Sequence, residues 1–342
     1  MTSKVMKLEA ALRPDGNAGT DEVVRQAREL EALGFDRIFT AETSRNPFFP
    51  LVLAAANTTR IELGTGIVVA FARSPMSVAA SAQDLHLMSN GRFRLGLGSQ
   101  IKPHITRRFS MPWHGAAKQM REFVESVRAI WDTWYDGTPL NYQGDFYQHT
   151  LMTPEFSPQT GGLERPPILL AAVGPLMTKT AAQVADGIIV HPFCTEHYLK
   201  NVILPRVEPE LASRGKTLDD FAIQYPMFIV TGDTEEQIEK SKAATKYRIG
   251  FYGSTPAYKP VLDAHGWGDL QPVLRALTKD NRWAELGDQI SDEMLETFAA
   301  VGEPAEAARI VKERVGDVAD SVVLDASLSA DALQTQMSVL RG

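Results

Sequence analysis

ELGTGIVVAFARSP, residues 62–75, has the apolar content of a buried strand, yet Gly64 and Gly66 interrupt it and polar residues end it. Glycine weakens a strand interior unless a bulge or a close backbone approach requires it. The stretch therefore predicts a strand over 60–68 with something pressed against its backbone near Gly66. A helical pattern over 75–89 follows, and then a second apolar run, RFRLGLG, over 92–98. Strand, helix and strand in that order form a parallel crossover unit.

The alternation extends in both directions. Strands are predicted near 4–11, 35–40, 60–68, 92–98, 167–172, 186–190, 220–231 and 320–325. Helices are predicted near 21–33, 50–57, 75–89, 115–135, 175–184, 195–213, 233–249, 304–315 and 329–341. The first helix carries its signals in order: Thr20 as cap, Asp21 and Glu22 in the first turn, Gly34 past the end. Repeated strand–helix units imply a parallel sheet, and the number found here closes a (β/α)8 TIM barrel. An open doubly wound sheet is the alternative. The chain is expected to be one barrel domain over 1–342. Two insertions at the C-terminal face, about 136–166 and 246–303, exceed what a barrel needs. The first contains LNYQGDFYQHT, which alternates like a hairpin around Gly144, and the second contains YRIGFYGSTPAYKP. Long excursions after barrel strands shape substrate pockets.

Composition narrows the function. The net charge of −7 argues against nucleic acid and anionic membrane as partners. The single cysteine, Cys194, rules out an intrachain disulfide and suits a reducing compartment. The first residues, MTSKVMKLEA, lack the apolar core of a signal peptide, and no apolar run approaches the length of a membrane helix. A cytoplasmic enzyme acting on a small molecule is expected.

Several motifs carry candidate chemistry. GRFRLGLGSQIKPHITRRFSMPWHG, 91–115, opens like a dinucleotide fingerprint but has Ile101 in the sixth position and Pro103 where a helix should start. From Leu85 to Arg121 there is no acidic residue, while Arg92, Arg94, Lys102, Arg107, Arg108, Lys118 and Arg121 all fall there. That cluster reads either as an anion site or as a solvated or paired face. AAVGPLMTKTAAQ, 171–183, places Gly174 at a turn and Pro175 in the first turn of a helix. Free N–H groups at such a start hold phosphate. HPFCTEH, 191–197, spaces His191, Cys194 and His197 like metal ligands but lacks a fourth partner, so no metal is expected. His191 ends one predicted strand and Glu42 follows another, in RIFTAETSRNPFFP, so both should reach the active face. His86, inside a helix, reads as structural. Phe48, Phe49, Trp113, Tyr252, Tyr258 and Trp267 fall in or near loops, where they would wall a flat ligand or simply pack.

LGTGI at 63–67, ASAQDLHLMSNGRFRLGLGS at 80–99, AAVGP at 171–175 and FYGSTPAY at 251–258 together resemble the bacterial luciferase-like superfamily. Within it the chain is similar to the actinobacterial oxidoreductases that use the deazaflavin coenzyme F420, over about residues 5–325. The resemblance implies a (β/α)8 barrel with a bulge and a non-prolyl cis peptide at the end of the third strand, between Gly66 and Ile67. It implies that the backbone of Gly66, Ile67 and Val68 meets the cofactor ring. Glu42 lies at a ring-contacting position, Gly98, Ser99 and Gln100 beside the pocket, and Val173, Gly174, Pro175 and Leu176 at the cofactor phosphate. Two departures stand out. Relatives often carry an Asp-His pair where this chain has Ala41-Glu42. They also often carry a glutamate after strand four, where this chain reads SQIKPHI. Glu42, His104 and His191 remain as candidates for proton transfer. The implied activity is hydride exchange between coenzyme F420 and a small organic substrate, in a homodimer. The alternatives are an FMN-dependent monooxygenase using oxygen and a cofactor-binding protein without turnover.

Overall fold

The computed structural model describes residues 5–13 and 19–342. Its strands are β1 (Lys7–Ala11), β2 (Arg37–Thr40), β3 (Glu62–Thr65, resuming at Val68–Val69), β4 (Phe93–Gly98), β5 (Ile168–Ala172), β6 (Gly187–Val190), β7 (Ala222–Tyr225) and β8 (Ser321–Val323). All pair in parallel, in the order β3-β2-β1-β8-β7-β6-β5-β4, and β3 pairs with β4 to close the barrel. Leu8, Ala10, Ile38, Leu63, Phe93, Leu95, Leu97, Leu170, Ile188, Ile223 and Val322 are buried and alternate along their strands with the side chains of the interior. Among the described residues no helix is long and apolar enough to cross a membrane.

Helix boundaries follow local chemistry. Helix α1 (Thr20–Ala32) has Gly19, not Thr20, as its N-cap residue, and Gly34 at φ +93° follows its end. Helix α2 spans Phe48–Asn57. Helix α3 (Pro75–Met88) is capped by the Ser74 hydroxyl, which accepts the Ser77 N–H. Helix α4 spans Ala116–Asp136, and helix α5 spans Pro175–Val184.

Two expected elements came out differently. The predicted strand 220–231 is two strands. Pro226 lacks an N–H, Met227 N–H donates to Tyr225 O at 2.8 Å, and Phe228–Val230 leaves the barrel to pair in parallel with Ala299–Val301. The predicted helix 195–213 is a short turn of helix at Glu196–Tyr198, a π-type segment at Leu199–Ile203 and a helix at Leu204–Ser213. The ribbon around Gly144 is present, Tyr142–Gln143 pairing antiparallel with Gln148–His149.

The third strand holds the bulge. Gly64 is paired with Arg94 and Val68 with Leu97, so four steps along β3 match three along β4. The Gly66–Ile67 peptide within it is cis. The Thr65 hydroxyl fills the gap in the ladder: it accepts the Gly96 N–H at 2.9 Å and donates to Gly96 O at 2.8 Å. A Cβ on Gly96 would fall 1.8 Å from Thr65 O, and one on Gly98 would fall 2.8 Å from Ile67 Cδ1. The two glycines of LGLG thus exist to receive the bulged strand. At Gly66 itself the close neighbour is a side chain: a Cβ there would lie 2.7 Å from Phe39 Cδ2. A side chain at 66 would press on the Phe39 ring of β2, so packing within the barrel already favours glycine there, alongside any cofactor ring.

The barrel interior is filled unevenly. Its lower half holds a charged cluster. Arg37 pairs with the fully buried Glu9, and with Glu62 at 2.6 Å; Lys7 also pairs with Glu62, and Gln224 donates to Glu9 at 2.6 Å. Burial pushes the Glu62 carboxyl up, but Arg37 and Lys7 outweigh it and bring it to about 2. Two residues further along the strands the inward positions shrink: Ala11 above Glu9, Ala41 above Phe39 and Ala171 above Leu169, while Gly98 stays as small as Gly96. Ala41 is exposed and Ala11 and Ala171 are half-buried. Small residues at the strand ends therefore leave an open bowl at the C-terminal face.

Candidate active site

The bowl is rimmed by the segments that follow the strands. Glu42, just after β2, is tied down on both sides. Its Oε2 accepts the Val69 N–H at 2.7 Å and pairs with Arg73 Nη1 at 2.7 Å, and its own N–H donates to Ile67 O at 3.1 Å. The carboxylate thus braces the end of the bulged strand. Arg73 did not emerge from the sequence, although an arginine a few residues after strand three and an acid just after strand two are a legible signal, because neighbouring strands bring those segments together.

Ser99 and Gln100 follow β4. Gln100 takes φ +57°, its side-chain Oε1 accepts the Ile101 N–H, and the Ser99 hydroxyl donates to Gln100 O. His104 opens a π-type turn at His104–Arg108 and is exposed, and among the described residues its side chain makes no hydrogen bond. Arg108, on the same turn, donates to Thr43 O and so links this loop to the loop carrying Glu42.

The basic stretch does not form one site. Arg92 points to the opposite end of the barrel, where it donates to Ser89 O, Ile61 O, Thr58 O and Ala55 O at 2.6–3.1 Å and so caps helix α2. Arg94 is an inward residue of β4 beside Arg37, Glu9 and Glu62, and burial pulls its guanidinium down to about 10. Lys118 pairs with Asp145 and Arg121 with Glu125. Lys102 and Arg107 are exposed and make no ion pair among the described residues.

After β5, Gly174 begins helix α5 at φ −81°, ψ 159°, with no side chain capping the helix start. A Cβ at Gly174 would meet nothing within 4 Å. Neither backbone conformation nor internal packing demands glycine there. Pro175 and Leu176 are exposed, and Val173 is half-buried. An uncapped helix start with open space beside a glycine fits a phosphate group.

After β6, the three residues of the metal-like spacing part company. Cys194 is buried, its thiol contacts Thr195 O, and burial pushes it up to about 12, far from a nucleophilic thiolate. His197 packs against His265 with ring centroids 5.3 Å apart. Among the described residues no His, Cys, Asp and Glu side chains group as metal ligands. His191 enters an aromatic box. Its ring meets Tyr252 edge-on at 4.6 Å and Tyr258 at 4.7 Å, and its Nδ1 accepts the Phe193 N–H at 3.0 Å. Burial holds the imidazole down to about 4. With Nδ1 accepting, the neutral ring carries its proton on Nε2.

The other aromatic candidates scatter. Phe48 packs on Phe93, Trp113 on Phe71 and Trp267 on His265, while Phe49 is 70% exposed. His86 is structural, as its helical position suggests, with Nε2 bonded to Glu164 O at 2.9 Å.

The family model for luciferase-like monooxygenases matches residues 5–321. The chain belongs to this family. Among luciferase-like relatives, an uncharacterized protein of Mycobacterium tuberculosis is 47% identical over 86% of each chain. A putative coenzyme F420-dependent oxidoreductase of the same organism is 25% identical, over 80% of this chain and 81% of its own. The solved coenzyme F420 dependent tetrahydromethanopterin reductase of Methanopyrus kandleri superposes with a TM-score of 0.78 at 22% identity, covering 98% of this chain and 97% of its own. The luciferase-like barrel is thus established, along with the oxidoreductase character of relatives that use F420.

Proposed function

We propose that the chain is an oxidoreductase that exchanges a hydride between coenzyme F420 and a small organic substrate at the C-terminal bowl of its barrel. The observation that carries this reading is the start of helix α5, where Gly174 is a glycine that neither conformation nor packing requires. There the free N–H groups of the first turn, next to Val173, Pro175 and Leu176, hold the cofactor phosphate. Gly66, Ile67 and Val68 on the bulged strand, with Gly98, Ser99 and Gln100, border the ring. A bound deazaflavin supplies hydride at its C5 carbon. The chain contributes orientation, exclusion of water and control of the partner proton. Glu42, fixed by Arg73 and the Val69 N–H, holds the bulged strand in register beside the ring. His191 is the proton-handling candidate, because it is neutral near pH 7 and its Nε2–H is committed to no partner among the described residues. FMN also carries a phosphate that this helix start suits, so the choice of F420 leans on the named relative and on the motif resemblance.

The test is a parallel titration of purified protein with coenzyme F420 and with FMN, followed by oxygen consumption with each reduced cofactor. F420 is expected to bind at least tenfold more tightly, which corresponds to about 1.4 kcal/mol, with no oxygen uptake. FMN binding accompanied by oxygen uptake would replace this reading with a flavin monooxygenase. A Gly174→Val variant that leaves affinity for both cofactors intact would remove the helix start from the site.

A further inference from the structure

We infer that His191, Tyr252 and Tyr258 form a substrate-binding donor set that takes the oxygen of a neutral carbonyl or alcohol bearing an apolar body. The inference rests on the oxidoreductase reading only in placing substrate at the same bowl. The second excursion builds it: Tyr252 lies near the end of the helix Glu235–Gly253 and Tyr258 on the turn Pro256–Tyr258, and both rings fold onto His191 at the end of β6. The two tyrosine rings are 6.4 Å apart, and Phe193 and Phe228 back them at 6.0 and 6.4 Å.

Rings packed this closely present three polar atoms, His191 Nε2, Tyr252 Oη and Tyr258 Oη. Each of these rings is neither fully buried nor exposed. Among the described residues none of the three atoms makes a hydrogen bond, yet none is among the sealed, unsatisfied polar atoms. They therefore keep access to solvent at the end of β6. Buried phenols ordinarily find a partner inside the protein, as Tyr225 does on Cys194 O and Tyr135 on Gln83. Among the described residues Tyr198 also lacks a hydroxyl partner, but Tyr252 and Tyr258 do so side by side, next to His191, whose Nε2 is likewise unpartnered.

The charge state selects the ligand. Burial keeps His191 uncharged near pH 7, and burial with Tyr252 nearby pushes Tyr258 up to about 12. Lys259, the cation next in sequence, is spent on Asp263 at 2.5 Å. The cation–ring contacts among the described residues lie elsewhere, on Phe109, Phe146 and Tyr135. Neutral donors on apolar walls suit an uncharged oxygen and offer no counter-charge to a carboxylate or phosphate.

The test is calorimetric titration of the full chain with acetone, cyclohexanone, acetophenone and benzoate, first as purified and then with coenzyme F420 added. At least one neutral ketone should bind. Tyr252→Phe and Tyr258→Phe should each weaken it about threefold to tenfold, the range of one hydrogen bond. Benzoate should bind at least tenfold more weakly than acetophenone. Both variants should melt with the wild type and keep F420 affinity within about twofold, which a merely structural role for the hydroxyls does not combine with lost ketone affinity. Unchanged ketone affinity in both variants, preferred binding of benzoate, or no ketone binding in either state overturns the inference. If F420 fails to bind while ketones still bind in a tyrosine-dependent way, the oxidoreductase reading falls and the donor set stands.

Discussion

Arg73 Nη1 and Glu42 Oε2 are 2.7 Å apart, and the same oxygen accepts the Val69 N–H at 2.7 Å. The pair joins the end of β2 to the end of the bulged strand. Arg73 Nη1 also donates to Val69 O at 3.3 Å, so both backbone groups of Val69 are engaged by this pair. The side chains are 19% and 7% exposed, so the pair is shielded enough to count in stability.

Glu42→Gln and Arg73→Gln should each lower stability by about 1–3 kcal/mol. The double variant should lose clearly less than the sum, because either single change already breaks the pair. Chemical denaturation of the four proteins measures this directly. Strictly additive losses would mean that the carboxylate and guanidinium do not act as one unit. A Glu42→Gln variant with near-normal stability and a turnover loss of a hundredfold or more would return Glu42 to proton transfer.

Phe39 and Gly66 give a second coupled pair. Gly66→Ala places a Cβ 2.7 Å from Phe39 Cδ2, a contact that forces the ring to move, at a cost of about 1–3 kcal/mol. Phe39→Leu alone should also destabilise, through lost packing. Combined with Gly66→Ala it should recover part of the loss, since the ring edge that clashed is gone. A double variant less stable than the sum of its parts would show that something other than Phe39 demands glycine at 66.

The basic stretch separates by experiment as it does in space. Arg92→Ala strips the cap from helix α2 and should cost about 2–4 kcal/mol while leaving cofactor affinity alone. Lys118→Ala with Arg121→Ala removes exposed pairs and should change stability by less than about 1 kcal/mol. Lys102→Ala with Arg107→Ala touches the exposed cations without ion pairs among the described residues, and should weaken cofactor binding and flatten its salt dependence. If the Lys118 and Arg121 variant shows that flattening instead, the anion contact lies on helix α4.

Much of this arrangement is legible in the sequence, and the illegible parts share a cause. Strand and helix positions follow from apolar periodicity, which is local. The bulge was marked by Gly64 and Gly66 and by the family resemblance. Its true partners, Thr65 against Gly96 and Ile67 against Gly98, depend on register between strands about 30 residues apart, as does the Phe39 ring over Gly66. The basic cluster misled because successive residues of a strand point to opposite faces: Phe93 faces the helices while Arg94 enters the barrel. Arg92, one residue earlier, serves the far end. His191 was readable as a strand end, but its box was not, because Tyr252 and Tyr258 arrive from a helical excursion with no fixed spacing to β6.

His191 also sets a pH signature. Burial holds its folded-state pKa down to about 4, against 6.5 in the open chain. Between those values the unfolded chain binds a proton that the native chain refuses, so stability rises with pH there. The contribution is complete above pH 6.5 and is lost as pH falls toward 4, by roughly 3 kcal/mol at most. His86, His149 and His265 are also held down by burial and add to the slope in the same region. The informative quantity is therefore the difference between wild type and His191→Asn, a change that removes the titrating ring and keeps an acceptor near the Phe193 N–H. That variant should start less stable at pH 7.5, because the ring leaves a void beside Tyr252 and Tyr258. Its stability should then fall less steeply than wild type between pH 6.5 and 4, so that the two curves converge. Parallel curves across that window would show that His191 titrates alike in the folded and unfolded chain and undo the neutral donor described above.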